Sequence, residues 1–256
     1  MKAAVIIPSR YASTRFDGKP LAPINGRPMI RHVYENAKKA SLADMVIVAT
    51  DDDRIYSAVI GFGGNAVMTG AQHRSGTDRI SEAAAALNYD IIVNVQGDEP
   101  LIRPEMIDTV IELLGDSRAD VATLKKQITT PDEAFDPNVV KVVADREGFA
   151  MYFSRAPIPY YRDLAIITKD GFAFKTWKEG QMHYYKHIGI YGYRKDILMR
   201  MAALKESHLE MAESLEQLRA MDNGIKIKVG LTHHETIGVD CPVDIEKVEK
   251  WLNTYS

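Results

Sequence analysis

"IIVNVQGDEP", residues 91–100, is an apolar run at nearly every position until it breaks into Gly97, Asp98, Glu99 and Pro100. A strand apolar on both faces belongs in a sheet covered on both sides. Similar runs recur outward from it at 3–7, 45–49, 65–68 and 121–124. Helix-like stretches separate them at 28–40, 53–62, 77–87 and 104–114. Strand and helix in alternation imply βαβ crossovers, hence an α/β fold with a mainly parallel central sheet. Pro28 and Pro104 suit first helical turns, Gly63–Gly64 stops the second helix, and Ser75 or Thr77 is placed to cap the third.

Beyond residue 120 the alternation fades. Strands are expected at 138–145, 149–155, 186–194 and 225–231, with helices at 195–203, 208–221 and 242–252. This half extends the same sheet and adds a smaller substrate-covering lobe. Segment 160–185 carries no clear pattern. A chain of 256 residues can bury one substantial core. A net charge of −3 and a pI near 6.2 give no global case for binding nucleic acid or a membrane, so any anion site is a local cluster. The one cysteine, Cys241, excludes an intrachain disulfide framework and a Cys-rich zinc site. The apolar run 3–7 is too short for a signal peptide or a membrane span, and the expectation is a cytoplasmic protein without an integral membrane segment.

In open parallel sheets ligands sit where loops leave the carboxyl ends of strands. Two features collect there. The first strand runs into "PSRYASTRFDGKPLAPINGRP", residues 8–28, with Arg10, Arg15 and Lys19 in a connection about three times the usual length. Three cations facing one cleft, near a helix amino terminus, would hold a polyphosphate; the bland alternative is a solvated basic loop. The spacing is neither a Walker A loop nor a G-x-G-x-x-G turn. Asp98 ends its strand on the same edge, and a carboxylate near phosphates calls for an intervening cation such as Mg²⁺. By itself, though, Gly97–Asp98 also reads as an ordinary turn. Asp240, in "TIGVDCPVDIEKV" (236–248), ends another apolar stretch; helix capping by Asp240 or Cys241 competes there with a metal role. "QHRSGTDR" (72–79) supplies small residues and hydroxyls for a planar base, or simply a helix cap with a solvated arginine pair.

Together these segments, with "VATDDDRI", "YFSRAPIP", "KHIGIYGYR" and "LEQLRAM", resemble the 3-deoxy-manno-octulosonate cytidylyltransferases (CMP-KDO synthetases), sugar nucleotidyltransferases, along almost the whole chain. The resemblance implies a Rossmann-like three-layer nucleotidyltransferase fold: a CTP-binding half at 1–125, a sugar-binding and dimer lobe at 126–235, and 236–256 carrying a metal aspartate and the last helix. It implies transfer from CTP to the acid sugar KDO, with release of pyrophosphate, for lipopolysaccharide synthesis. Arg10, Arg15 and Lys19 match phosphate-binding positions, and Ser75, Gly76 and Thr77 a segment near the cytidine. Asp98 and Asp240 match a Mg²⁺ pair, and with Arg10 and Lys19 they form the catalytic set. Gln96, Arg155, His187, Tyr191, Glu216 and Gln217 match positions around the sugar. A homodimer is implied as well. An 8-amino octulosonate or a sialic-type acid is the nearest alternative substrate, and a non-catalytic nucleotide-binding regulator the alternative from another class. The chain departs from the common pattern at Ser9, where alanine is frequent, at "FDGK" and at "VDCPVD".

Overall fold

The computed structural model describes residues 1–12, 16–73, 75–163, 165–168, 171–174 and 183–255. Its centre is β1 (Ala3–Ser9), every residue of which except Pro8 is buried. β1 pairs in parallel with β4 (Met45–Thr50) on one side and with β6 (Ile91–Asn94) on the other. Beyond β4 lies β5 (Ala66–Met68), also parallel. On the other flank come β12 (Tyr185–Arg194), β7 (Val121–Gln127) and β13 (Ile227–Leu231), giving the order β13-β7-β12-β6-β1-β4-β5. β12 is antiparallel to both neighbours, whereas β13 and β7 are parallel to each other. One reversed strand therefore sits in an otherwise parallel path. β8 (Lys141–Ala144) joins β12, and β9 (Ala150–Ser154) pairs with β8, which completes nine strands. The second half thus continues the first half's sheet.

Alternation along the strands divides the interior in two. Val5, Ile7, Val93 and Val95 face one layer, where α1 (Met29–Ala37), α2 (Asp53–Gly61) and α4 (Pro104–Leu113) cover them. Ile6, Ile92 and Tyr193 face the other, under α3 (Gly76–Ala85), α6 (Lys195–Ala203) and α8 (Gln217–Asp222). In α1 the buried set Ile30, Val33, Tyr34 and Ala37 falls at i, i+3, i+4 and i+7, the stripe a surface helix lays on a sheet. Each large side chain of this kind contributes about 1.5–3 kcal/mol by leaving water, and truncating Ile6 or Ile92 to alanine would cost about 2–5 kcal/mol.

Three expectations are corrected. The connection after β1 is shaped throughout its described part: Gly18 turns in the left-handed region (φ 68°), Lys19–Leu21 form one 3₁₀ turn, and β2 (Pro23–Ile24) folds back on β3 (Arg27–Pro28). Asn25 and Gly26 both take positive φ, as a two-residue hairpin turn requires, so "NG" was the readable signal. Pro28 precedes the first turn of α1 instead of lying inside it. The single helix expected over 208–221 is two, α7 (His208–Glu213) and α8, because Ser214 adopts a left-handed conformation (φ 53°, ψ 50°). Met211 consequently faces solvent, while Leu215 and Leu218 are buried. Arg219 holds Glu210 across this turn with two hydrogen bonds of 2.5 and 2.7 Å.

The remaining elements frame the edges. α5 (Pro131–Phe135) is capped by Thr130. α9 (Pro242–Tyr255) places Val248 in a small core with Ile24, Met29, Leu101 and Val239, which fixes the end of the chain beside the β2–β3 hairpin. Within segment 160–185, β10 (Ala165–Thr168) and β11 (Gly171–Phe174) form a hairpin. No described helix is long and apolar enough to cross a membrane.

Candidate active site

At the carboxyl ends of β1 and β6 a cavity of about 340 Å³ opens between the 3₁₀ turn, the amino end of α3 and the loop before α9. Arg10, Lys19, Ser75, Gly76, Gln96, Asp98 and Asp240 all line it, so widely separated segments meet at the edge where the sheet topology directs ligands. Arg15 lies outside the described residues. The close approach of β1 to the turn after β6 depends on Gly97, where a Cβ would lie 2.6 Å from Ser9 Oγ and 2.9 Å from the Pro8 carbonyl oxygen.

Lys19 is the hub. Its Nζ donates to Asp98 Oδ2 at 2.6 Å and to the Val239 carbonyl at 2.8 Å, and lies 3.9 Å from Asp240 Oδ1. A cation therefore already bridges the two aspartates. The backbone N–H of Val239 donates to the Asp98 carbonyl at 2.9 Å, which ties the two acid-bearing loops together. Under them the Glu99 carboxyl turns inward, with its Oε2 buried. Burial, reinforced by the negative charges of Asp98 and Asp240, pushes its carboxyl up to about 8, and its Oε2 has no hydrogen-bond partner among the described residues. At the start of α9 the N–H groups of Asp240 and Cys241 donate to Asp244 Oδ2, each at 3.0 Å. Asp244, the third residue of α9, thus reaches back over the two residues that lead into the helix.

The donor set suits a hard divalent cation. Magnesium takes oxygen ligands, commonly one or two carboxylates with the rest from phosphates and water. Asp98 and Asp240 provide two carboxylates beside a cationic cavity, and no described group of three His, Cys, Asp or Glu residues forms a complete protein cage. Asp98 and Asp240 would hold the ion once Lys19 turned its flexible stem toward the phosphates.

The amino end of α3 closes the opposite wall. Ser75 caps the helix in a reciprocal box with Asp78, which orients the small residues Ser75 and Gly76 into the cavity. The bland alternative for this stretch is a solvated arginine pair, of which Arg74 lies outside the described residues. Arg79 instead is 3% exposed, lines the cavity, and donates to Thr69 Oγ1 at 2.6 Å and Asp51 Oδ2 at 2.8 Å. It is a pre-paired buried cation that spacing on a helix could not distinguish from a surface one.

Gly76 and Gln96 also line a second, smaller cavity of about 100 Å³, on the α3–α6–α8 side of the sheet. Thr77, Asn94, Tyr191, Tyr193, Glu216 and Gln217 supply its polar wall. The break at Ser214 is what aims Glu216 inward, where its Oε2 accepts from Thr77 Oγ1 at 2.6 Å. Burial raises the Glu216 carboxyl above its ordinary value, against that hydrogen bond. Asn94 and Tyr193 were not singled out in the sequence; their inward position follows from strand alternation beside Tyr191.

His187 and Arg155 stand apart from both cavities. The His187 ring lies 5.2 Å from Tyr191 and edge-on to Phe153, with Nε2 3.0 Å from Thr123 Oγ1. The Thr123 hydroxyl also contacts the Ile190 carbonyl at 2.7 Å, so its one proton goes to a carbonyl and it accepts from Nε2–H. Burial pushes the imidazole down to about 3. β12 carries two extra residues between Ile188 and Tyr191 relative to β7, an even number, which keeps His187 and Tyr191 on one face. Arg155 donates to the carbonyls of Glu213 (2.7 Å), Pro137 (2.9 Å) and Ser214 (3.4 Å), bracing the turn between α7 and α8.

The sequence model of the Cytidylyltransferase family matches residues 4–227. The 3-deoxy-manno-octulosonate cytidylyltransferase of Geotalea uraniireducens (strain Rf4) is 55% identical, over 97% of this chain and 98% of its own. The chain belongs to the 3-deoxy-manno-octulosonate cytidylyltransferase family. A second relative, from Thermodesulfovibrio yellowstonii, is 51% identical over the full length of both chains. Among solved structures, a CMP:2-keto-3-deoxy-manno-octonic acid synthetase complexed with CTP superposes with a TM-score of 0.89 at 44% identity, covering all of both chains. The fold expected from the sequence, an α/β nucleotidyltransferase with a mostly parallel sheet, is the one observed.

Proposed function

We propose that the chain activates 3-deoxy-manno-octulosonate with CTP, giving CMP-KDO and pyrophosphate, as a soluble step of lipopolysaccharide synthesis in the cytoplasm, where CTP is made. The observation that carries this reading is the meeting, at Gly76 and Gln96, of a cationic cavity with one lined by hydroxyls, amides and the Glu216 carboxyl. A nucleoside triphosphate suits the first and a polyhydroxy acid the second, with their reacting atoms at the shared wall.

In this reading Arg10 and Lys19, with Arg15 from the same loop, take the phosphates, and Ser75 and Gly76 lie along the cytidine, whereas Thr77, expected beside them, faces the second cavity and bonds to Glu216. Gln96, Tyr191, Glu216 and Gln217 hold the sugar, backed by His187. Arg155 reaches the sugar only by releasing the three carbonyls it now braces. The hydroxyl on the anomeric carbon attacks the α-phosphorus in line, and the bond to the β-phosphate bridging oxygen breaks. Catalysis is positioning and charge neutralisation, and needs no side-chain nucleophile. Asp98 and Asp240 would hold Mg²⁺, which when bound would supply Lewis-acid polarisation of the phosphate and acidify the attacking hydroxyl. Arg10 and Lys19 offset charge on the departing pyrophosphate, and Lys19 exchanges carboxylate for phosphate as its partner. Family resemblance supports a homodimer, measurable by sedimentation.

The deciding experiment is pyrophosphate release with each of the four nucleoside triphosphates against a panel of keto-acid sugars, with and without a magnesium chelator. Turnover confined to CTP with KDO, and lost on chelation, is the expected result. Preference for an 8-amino octulosonate or a sialic-type acid would move the substrate, and CTP binding without turnover would make the chain a regulator.

A further inference from the structure

Asn94 ends β6, a strand whose other three residues are Ile91, Ile92 and Val93. It stands between Ile6 of β1 and Tyr191 of β12 in the middle of the sheet and is 2% exposed. Two residues before it on the same face, Ile92 is fully buried in the apolar layer. Everything local argues for another isoleucine. Instead the position holds a carboxamide that makes no hydrogen bond to any described residue, and its Oδ1 is buried without a partner. A buried amide left unpaired destabilises a fold, and an apolar side chain of similar volume would not. Folding therefore gives no reason for the residue.

Its surroundings give one. Asn94 lines the second cavity beside Tyr191, Tyr193, Glu216 and Gln217. The Glu216 carboxylate is already engaged by Thr77, whereas the Asn94 carboxamide is uncommitted. A carboxamide offers a donor and an acceptor a short distance apart, and a sugar hydroxyl both donates and accepts. We propose that Asn94 is a specificity-determining residue whose carboxamide binds one hydroxyl of the acid sugar in the cavity closed by Tyr191 and Gln217. This rests on the function proposed above. A site built to pair a hydroxyl rejects an analogue lacking it, because the buried polar group is then left without a partner again.

The test compares wild type with Asn94→Leu and Asn94→Ser. Three quantities are read: KM and kcat for KDO at saturating CTP, CTP affinity by calorimetry, and melting temperature. KDO is also titrated directly, so that the contact is measured independently of turnover. Asn94→Leu is expected to raise the KM and weaken KDO binding about tenfold, leave CTP affinity unchanged, and melt at or above the wild-type temperature. Asn94→Ser should fall between the two, and a set of monodeoxy sugars should contain one that wild type and Asn94→Leu bind equally. Wild-type KDO affinity in both variants, or a joint loss of KDO and CTP binding with a lowered melting temperature, overturns the proposal. Should Asn94→Leu fail to fold, the same criteria apply to Asn94→Ser. A wild type that binds KDO but releases no pyrophosphate would sink the proposed reaction and leave the hydroxyl contact to be judged on the titration.

Discussion

The two cavities are neighbours built on different principles. The first gathers charge on loops: Arg10 and Lys19 follow β1, Asp98 follows β6, and Asp240 precedes α9. Its members are polar residues at strand ends, held by each other through Lys19, and their sequence spacing already declares the edge of the sheet on which they lie. The second gathers hydroxyls and amides on regular structure, Asn94 on β6, Tyr191 and Tyr193 on β12, Thr77 on α3 and Gln217 on α8, with the Glu216 carboxyl just ahead of α8. Those residues alternate with core residues on the same elements, so only tertiary convergence separates them from the core. The first is suited to charge neutralisation, which acts on the reaction; the second to hydroxyl pairing, which acts on the choice of substrate. Substitutions can break that contrast or sharpen it.

The largest effect belongs to the charged cavity. Asp98→Asn should lower the rate of pyrophosphate release by roughly 10²–10³-fold with an unchanged circular-dichroism spectrum; normal turnover would remove the metal role from this residue. Next, Lys19→Ala should weaken CTP binding by about ten- to a hundredfold, the loss of a charged hydrogen-bond donor, with a far smaller effect on the sugar KM. If calorimetry instead gave wild-type CTP affinity, Lys19 would be a structural bridge between Asp98 and Asp240 and nothing more.

Arg155 and His187 test the opposite flank with smaller effects. Arg155→Ala removes the donor to three carbonyls and should lower the melting temperature by about 4 °C or less. A rise in the sugar KM on top of that loss would bring the guanidinium into the second cavity. His187 is held to about 3 by burial, below its ordinary 6.5. Between those values the unfolded chain binds a proton that the folded one does not, so stability falls as pH drops through that window. His187→Gln should therefore lose fewer degrees of melting temperature than wild type between pH 6.5 and pH 4. An identical slope in the two proteins would show that other groups carry the acid sensitivity.

The same contrast explains what could be read in advance. "IIVNV" and its sister runs gave the parallel core because apolar continuity reports burial on both faces. Arg10 and Lys19 were legible because a long charged connection at a strand end has few structural reasons to exist, whereas Asp98 by itself also read as an ordinary turn. Asp240 was ambiguous by itself, since an acid before Pro242 reads equally as a cap, and Asp244 proved to accept from both amides there. Asn94 was hidden inside the very run that betrayed the fold. The turn at Ser214 was hidden too: nothing in "EMAESLEQLRAM" forbids a continuous amphipathic helix, and a serine in left-handed conformation is held by its surroundings rather than chosen by local propensity.

Gly76 belongs to both cavities, and its missing side chain has room: an added Cβ would touch Pro8 at an ordinary 3.5 Å and approach Gln96 no closer than 4.0 Å. The protein itself would accept alanine there. A methyl group at that spot would nevertheless stand in the doorway through which nucleophile and electrophile must come within bonding reach, a wedge that leaves each partner seated and holds them apart.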